Sequence, residues 1–243
     1  MENMQKNILI TGGTTGIGRA TALLLAAKGA KVFIFGRHEN ELNDTLSDAR
    51  KAGVEKNITG ITADVSRESD VAYVFEKADE ALGDIDVLIN NAALGYAGIM
   101  SGNYSDWQYI INTNLLGYVA CAAEAIKRMR RNSSGHIINI GSMSAETKEK
   151  GSSLYVATKS AIKGLSQSLR KEVNPLGIKV TLIEPGAVGT DMQPQSPEEQ
   201  REKETNLEML KAEDIAACVL YVLTQPQRCD LVEIQIRPHL QMI

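Results

Sequence analysis

Residues 8–19 read Ile8-Leu9-Ile10-Thr11-Gly12-Gly13-Thr14-Thr15-Gly16-Ile17-Gly18-Arg19, and this stretch points to the fold. An apolar run forms a strand, the glycines form a turn, and an apolar-periodic helix begins after them. Glycines let the backbone approach a phosphate, and the free N–H groups and positive dipole at a helix start attract negative charge. We therefore expect a pyrophosphate at this turn. The spacing Gly12, Gly16, Gly18 differs from the common G-x-G-x-x-G dinucleotide fingerprint, so a tight turn without a ligand stays open as the alternative.

Short strand-like runs alternate with longer helical stretches along the whole chain. This alternation is typical of βαβ units, which build a parallel sheet covered by helices. We predict strands at residues 7–10, 31–35, 57–62, 87–90, 135–140, 179–184 and 231–236. The last strand alternates apolar and polar residues and is expected at a sheet edge. The predicted fold is α/β: a single-domain, Rossmann-type doubly wound sheet of about seven mostly parallel strands flanked by helices, over residues 1–243.

One segment departs from this alternation. Residues 193–206 contain two prolines and dense charge, which is typical of a mobile surface excursion. We expect a small substrate lid around residues 193–209.

Composition and charge exclude several classes of function. The 243 residues are 43% hydrophobic and 23% charged, with a formal net charge of -4 at pH 7, so the chain has no general attraction for nucleic acid or anionic lipid. Its apolar runs are too short to cross a bilayer, and residues 1–6 lack the features of a signal peptide. We expect a cytoplasmic protein that binds neither nucleic acid nor membrane. The 3 cysteines and 3 histidines are scattered, so no metal site is expected.

The end of the second predicted strand indicates which nucleotide binds. It reads Phe35-Gly36-Arg37-His38, without the acid that an NAD site places on the ribose 2'-hydroxyl. Gly36 leaves room and the guanidinium of Arg37 suits a 2'-phosphate, so NADP(H) is favoured; the alternative for Arg37 is a solvated surface residue. Asp64, after the third strand, suits an adenine amino group, although an aspartate there could equally cap the following turn.

Tyr155 and Lys159 are four residues apart, so on a helix their side chains share a face. A phenol with a pKa of about 10 is a poor base at neutral pH, and we expect the ammonium of Lys159 to lower that pKa. Ser142 lies at the carboxyl end of the predicted strand 135–140, where its hydroxyl can polarise a substrate oxygen. Each residue also has an ordinary structural explanation: a packed tyrosine beside a solvated lysine, and a capping serine with Ser144 as a competitor.

The loop at residues 11–18, the run Asn90-Asn91-Ala92, Ser142, and Tyr155 with Lys159 together resemble the short-chain dehydrogenase/reductase family in order and spacing, over residues 8–192. The resemblance implies a fourth catalytic residue, Asn114, which kinks its helix and holds a water that links Lys159 to solvent; Asn112 is the local rival. The chain departs from the family at Ala93, where a glycine is usual, and this puts only local backbone detail in doubt.

The residues expected to contact NADP(H) come partly from the motifs above and partly from the resemblance. They are Gly12, Thr14, Thr15, Gly16, Ile17, Gly18, Arg37, Asp64, Val65, Asn90, Ala92, Tyr155, Lys159, Pro185, Gly186, Val188 and Thr190. The resemblance places the last two near the nicotinamide amide.

The predicted activity is NADPH-dependent interconversion of a ketone or aldehyde and an alcohol, with Tyr155 as general acid and base. A catalytically silent NADP-binding regulator or scaffold is the alternative on the same fold, and a 3-hydroxy acid or 3-oxoacyl compound is the runner-up substrate. The pocket walls are expected at residues 94–100, 143–153 and 192–209. A homotetramer or homodimer is expected from the resemblance, and because the edge strand and the apolar tail at residues 237–243 would be exposed in a monomer.

Overall fold

The structure, a computed structural model, describes residues 4–95 and 98–241. Three groups of residues used in the expectations above lie outside this part: Met1, Glu2 and Asn3 of the N-terminus, Tyr96 and Ala97 of the expected pocket wall, and Met242 and Ile243 of the apolar tail.

Strands and helices alternate along the described residues. The strands are β1 (Asn7–Thr11), β2 (Lys31–Gly36), β3 (Ile58–Thr62), β4 (Val87–Asn90), β5 (Gly135–Ile140), β6 (Ile178–Pro185) and β7 (Glu233–Ile236). The helices are α1 (Gly16–Ala27), α2 (Glu39–Lys51), α3 (Glu68–Leu82), α4 (Tyr104–Ile111), α5 (Gly117–Met129), α6 (Ser144–Thr147), α7 (Ser153–Val173), α8 (Pro197–Thr205) and α9 (Ala212–Leu223). A π-helical segment, Asn112–Leu116, joins α4 to α5.

The strands form a 7-stranded sheet in the order β3-β2-β1-β4-β5-β6-β7, and every pair is parallel. The strand order reverses between β1 and β4, which is where open α/β sheets bind ligands. The predicted Rossmann-type α/β fold is confirmed, with a sheet that is entirely parallel. The alternating β7 lies at an edge, as predicted. The third strand begins at Ile58 because Asn57 ends a 3-10 turn, Glu55–Asn57.

Neighbouring residues of β1 face opposite sides of the sheet, and helices cover both sides. Ile8 and Ile10 pack in a cluster with residues of α1, α2 and α9, whereas Leu9 packs with residues of α3, α5 and α7, as the two-residue period of a strand requires. Because both faces are covered, a ligand reaches this sheet at the ends of its strands.

The segment expected to be a mobile excursion contains the helix α8. The Ser196 hydroxyl accepts from the N–H of Glu199 at 3.3 Å, the Glu199 carboxylate accepts from the N–H of Ser196 at 2.8 Å, and Pro197 occupies the first turn. No residue of α8 is buried. The dense charge of this segment therefore belongs to a solvated helix surface, and the role of a lid stays a prediction.

Within residues 4–95 and 98–241, no helix combines the length and the apolar character that crossing a membrane requires.

A buried carboxylate at the end of β6 depends on one lysine. The side chain of Glu184 is 0% exposed, and Lys163 of α7 donates to its Oε2 at 3.2 Å. The same ammonium contacts Glu233 of β7 at 2.7 Å and Glu146 of α6. Burial raises the pKa of Glu184. Burial also acts to lower the pKa of Lys163, but its hydrogen bonds to the three carboxylates outweigh burial and raise that pKa. Lys163 thus ties α6, β6 and β7 to α7.

We predict that Lys163→Met destabilises the fold by about 2 kcal/mol at pH 7, because it leaves Glu184 buried without a cation; the loss is smaller than for a fully buried pair since Lys163 is partly exposed. The loss should shrink as the pH falls, because protonation of Glu184 removes the uncompensated charge, and its raised pKa moves this change above the ordinary range of glutamate. Urea unfolding at pH 7 and pH 5 measures both effects. Lys171→Met, at an exposed lysine of the same helix, is the control; equal stability of wild type and Lys163→Met would contradict the prediction.

Candidate active site

The carboxyl ends of β1, β2, β4, β5 and β6 surround one cleft. Most of the predicted site residues line it: Gly12, Thr14, Thr15, Gly16, Ile17, Arg37, Val65, Ala92, Ser142, Tyr155, Lys159, Pro185, Gly186, Val188 and Thr190. Four others, Gly18, Asp64, Asn90 and Asn114, do not line it. The departure from the family pattern, Ala93, is part of the lining.

The loop between β1 and α1 fits a nucleotide through its backbone. Gly12 has φ +62° and Gly16 has φ +48°, in the left-handed region that favours glycine. A Cβ on Gly12 would lie 2.8 Å from Cα of Ala92, and a Cβ on Gly18 would lie 2.1 Å from the backbone oxygen of Gly12. Gly18 is therefore required for packing of the loop. Thr15 caps α1 without a side-chain hydrogen bond, which leaves the first N–H groups of the helix to a phosphate.

The end of β2 meets the cleft at Gly36, Arg37 and His38. A Cβ on Gly36 would lie 2.2 Å from Oγ1 of Thr14, so glycine allows this strand end to approach the loop after β1. Arg37 is exposed, and its Nη1 donates to the hydroxyl of Tyr109 at 2.7 Å. The guanidinium is thus already held at the edge of the cleft.

Glu41, in α2, is a cleft residue that the sequence did not indicate. Its Oε2 is buried, with no hydrogen-bond partner in the part of the chain that the structure describes. Glu41 does not occupy the end of β2, where an NAD site usually places its acid, because the residue lies in the following helix. Which side of α2 faces the cleft depends on the packing of that helix, which no local motif specifies.

Asp64 follows β3, and both oxygens of its carboxylate accept hydrogen bonds from the protein. Its Oδ1 accepts from the N–H of Ser66 at 3.0 Å, the capping role that the sequence left open, and its Oδ2 accepts from the hydroxyl of Tyr109 at 2.8 Å. Burial acts to raise the pKa of Asp64, but the hydrogen bonds outweigh burial and lower that pKa. Val65 lines the cleft beside it, and a contact between Asp64 and adenine stays a prediction.

The two asparagines at the end of β4 have different partners. Asn90 is 1% exposed, and its side-chain amide donates to Oδ1 of Asn139 at 3.0 Å within the sheet. The side-chain amide of Asn91 donates to the backbone oxygens of Thr11 and Gly12 at 3.1 and 2.9 Å. The side chain of Asn90 therefore lies on the face of the sheet that α5 covers, where it also donates to the backbone oxygen of Tyr118, and Asn91 braces the glycine loop. Alternation of side chains along a strand explains the difference. A contact between Asn90 and the nucleotide stays a prediction.

Ser142, Tyr155 and Lys159 meet at one wall of the cleft. Ser142 follows the end of β5, and its Oγ accepts from the N–H of Ser144 at 3.1 Å. Lys159 is 2% exposed, and its Nζ donates to the backbone oxygen of Ile140 at 2.9 Å and lies 5.7 Å from the centre of the Tyr155 ring. The Ser142 hydroxyl lies beside Tyr155, and its rival Ser144 contacts it through a backbone N–H. A catalytic role for Ser142 stays a prediction.

Tyr118 is a further member of this wall that no sequence motif indicated. It is buried, and its hydroxyl donates at 3.0 Å to the same Ile140 oxygen that accepts from Lys159. The Nζ of Lys159 lies 5.6 Å from the centre of the Tyr118 ring. The buried cation is therefore positioned by one backbone carbonyl and two aromatic rings.

Burial is the main influence on the pKa values of Tyr155 and Lys159 in this wall. It raises the pKa of Tyr155, which the hydrogen bond with Ser142 opposes, and it lowers the pKa of Lys159 to about 8. The sequence predicts a lowered pKa for Tyr155, because a lysine four residues away is visible in the sequence whereas the desolvation of Tyr155 and Lys159 is not. The structure instead has a phenol that is protonated at neutral pH, which suits a proton donor.

Asn114 lies in the π-helical segment, where the resemblance implies a kink. It is 0% exposed; its Oδ1 accepts from the N–H of Leu94 at 2.7 Å and its Nδ2 donates to the oxygen of Leu94 at 2.9 Å. Leu94 lines the cleft. Asn114 therefore holds the loop that follows β4 against the helical run from α4 to α5. Its rival Asn112 lies at a separate surface groove with Trp107.

The loop after β6 lines the cleft and approaches the glycine loop, since a Cβ on Gly16 would lie 3.1 Å from Cγ2 of Thr190. Val188 pairs with Leu210 in an isolated parallel bridge, and the N–H of Ala187 donates to Oε1 of Gln241 at 3.0 Å. Met192 and Gln193 also line the cleft, and both belong to the pocket wall expected at residues 192–209. No group of three or more His, Cys, Asp or Glu residues suited to a metal occurs in the two described ranges.

Known proteins match this chain over nearly its whole length. A family model described as short chain dehydrogenase matches residues 6–201. An uncharacterized oxidoreductase of Staphylococcus saprophyticus is 35% identical over 242 residues, which covers 98% of this chain and 99% of the relative. An uncharacterized oxidoreductase of Staphylococcus aureus strain MRSA252 is 35% identical over 234 residues, which covers 96% and 97%.

Solved structures share the fold. A variant of actinorhodin polyketide ketoreductase with NADPH superposes with a TM-score of 0.86 and 27% identity, covering 99% of both chains. Levodione reductase superposes with a TM-score of 0.85 and 27% identity, covering 95% of both chains. Because the family model covers residues 6–201 and the relatives are 35% identical over nearly the whole chain, this chain belongs to the short-chain dehydrogenase family of oxidoreductases.

Proposed function

We propose that this protein is an NADPH-dependent carbonyl reductase, which interconverts a ketone or aldehyde and an alcohol. The observation that carries the proposal is the meeting of Ser142, Tyr155 and Lys159 on the wall of a cleft that also contains the glycine loop. Two similar solved structures support it: one is a ketoreductase determined with NADPH, and the other is named for the reduction of levodione.

The cleft residues fit a nicotinamide dinucleotide. Backbone N–H groups at the glycine loop and the start of α1 would hold the pyrophosphate, and Arg37 would hold the 2'-phosphate. Lys159 would hold the ribose hydroxyls, and Val188 and Thr190 would contact the nicotinamide amide. When bound, NADPH supplies the hydride for the carbonyl carbon.

Tyr155 donates the proton to the carbonyl oxygen in the reductive direction. Burial keeps its phenol protonated at neutral pH, and the Ser142 hydroxyl beside it holds the same carbonyl oxygen in place. In the oxidative direction Tyr155 accepts a proton, and the ammonium of Lys159, which the Ile140 carbonyl orients, stabilises the phenolate. Asn114 has one lone pair of Oδ1 beyond its bond to Leu94, which suits the proposed water between Lys159 and solvent.

One observation favours NADH over NADPH. Glu41 lines the cleft near the end of β2 with a buried oxygen that no described residue satisfies. A carboxylate at this end of the cleft suits a ribose 2'-hydroxyl, as in NAD sites, and opposes a 2'-phosphate. Arg37 at the same strand end supports NADPH, so the two side chains make opposite contributions to the preference.

We also propose that the chain forms a homodimer or homotetramer. Ile111, Leu116 and Val119, along the continuous run from α4 to α5, are 40%, 52% and 39% exposed. Contact between subunits would remove these apolar side chains from water.

We predict that Tyr155→Phe lowers kcat for carbonyl reduction by a factor of about 1,000 or more, because the proton donor is lost. Fluorescence titration should show NADPH affinity within about threefold of wild type, since the ring and its packing remain. Tyr221→Phe, which removes a hydroxyl from an exposed residue of α9, is the control and should retain full activity. More than a tenth of wild-type kcat in Tyr155→Phe would rule out this acid, and a wild type that binds NADPH but turns over no ketone, aldehyde or diketone would favour the regulator.

We predict that Glu41→Gln strengthens NADPH binding by about threefold or more, because it removes a like charge from the end of the cleft that receives the 2'-phosphate. The amide has nearly the same shape as the carboxylate, so packing changes little. Titrations with NADPH and NADH at constant ionic strength give the two affinities. Loss of NADH affinity with no gain for NADPH would instead identify Glu41 as the ribose ligand of an NADH enzyme.

A further inference from the structure

Tyr109 joins two residues that are far apart in the sequence. Nη1 of Arg37 donates to its hydroxyl at 2.7 Å, and that hydroxyl donates to Oδ2 of Asp64 at 2.8 Å. The Cζ atom of Arg37 also lies 5.7 Å from the centre of the Tyr109 ring. The end of β2, the turn after β3 and the helix α4 therefore meet at one phenol.

The phenol uses its hydroxyl in a way that suits both partners. A neutral tyrosine offers one donor and at least one acceptor, and here the donor serves the carboxylate while the acceptor serves the guanidinium. Burial, together with the hydrogen bond to Asp64, raises the pKa of Tyr109, so the neutral form persists at neutral pH. Asp64 is in turn fixed by the N–H of Ser66. The position of the hydroxyl is thus determined from both sides.

This contact restrains an arginine that would otherwise be mobile. An exposed arginine loses rotamer entropy when it is immobilised on a ligand. The bond to Tyr109 occupies Nη1, which leaves the other N–H groups of the guanidinium for a phosphate. The hydroxyl lies between Arg37 and Asp64, so the partner of Nη1 is a neutral group and not the carboxylate itself.

Tyr109 is itself on a fixed element. The helix α4 continues into the π-helical segment, where Asn114 makes two hydrogen bonds with the backbone of Leu94. A residue on a packed helix positions a partner more reproducibly than a residue on a loop. The same helical run therefore reaches both the arginine at the nucleotide end and the loop beside the catalytic wall.

We propose that Tyr109 is a positioning residue for cofactor specificity: it holds the guanidinium of Arg37 ready for the 2'-phosphate of the nucleotide. The inference rests on the proposed use of NADPH. It adds that the preference for a 2'-phosphate requires a hydroxyl from α4 as well as the arginine after β2.

Isothermal titration calorimetry with adenosine 2',5'-bisphosphate and with AMP, which lacks only the 2'-phosphate, tests this without turnover. In wild type, the ratio of the two affinities measures the contribution of the 2'-phosphate. Tyr109→Phe keeps the ring and removes the hydroxyl, and it should weaken binding of the bisphosphate about tenfold while AMP binding stays within about twofold. Tyr104→Phe, at a 74% exposed tyrosine of the same helix, is the matched control and should change neither affinity.

A double-mutant cycle with Arg37→Ala separates positioning from a direct contact or a structural effect. In the Arg37→Ala background, Tyr109→Phe should have no further effect on the affinity ratio, because no guanidinium is left to position. Thermal unfolding should show similar midpoints for wild type and Tyr109→Phe.

The outcomes distinguish this inference from the proposed function. If wild type binds the two probes equally, the proposed NADPH preference fails and the inference falls with it. If wild type prefers the bisphosphate and Tyr109→Phe keeps the same ratio, the inference alone is overturned. Equal weakening of both probes, or a tenfold effect that persists in Arg37→Ala, would also overturn it.

Discussion

All seven strands run in one direction, and the site depends on that constraint. Parallel pairing brings the carboxyl ends of β1, β2, β4, β5 and β6 to one edge, so side chains from widely separated parts of the chain meet there. With helices on both faces, the strand ends are where the backbone can meet a ligand. Alternation along β4 also separates neighbouring residues: Asn90 contacts Asn139 and α5 on one face of the sheet, while Asn91 holds the glycine loop.

Desolvation is the second determinant of the chemistry. As free side chains, a tyrosine with a pKa of 10.0 loses its proton before a lysine with a pKa of 10.5, but burial raises the first value and lowers the second to about 8. The order of deprotonation is therefore reversed, and Tyr155 remains a neutral acid even when Lys159 loses its charge. Holding the lysine at the Ile140 carbonyl keeps its ammonium hydrogen-bonded in an interior that disfavours charge.

Sequence patterns predicted the sheet, the glycine cradle and the cleft positions of Ser142, Tyr155 and Lys159, because each depends on local periodicity or on short spacing. Residues whose role depends on packing were missed. Glu41 and Tyr109 lie at the cleft or its edge because of which side of α2 and α4 faces it, and packing sets that orientation. Tyr118 donates to the Ile140 oxygen from α5 for the same reason. The raised pKa of Tyr155 was missed for a related reason, since burial is a property of the folded chain. The sequence offers two interpretations of Asp64; the structure shows the hydrogen bond of the capping role, and the adenine contact stays a prediction.

The helix α8 follows the cleft residues Met192 and Gln193, yet it contributes nothing to the apolar core. Its first turn is held by its own capping box and by Gln200, whose amide donates to the Thr190 oxygen at 3.3 Å. Substitutions on its solvated face consequently cost little folding free energy. Sequence variation can therefore accumulate in α8, a few residues after the cleft residues Met192 and Gln193, while the sheet and its strand ends remain intact.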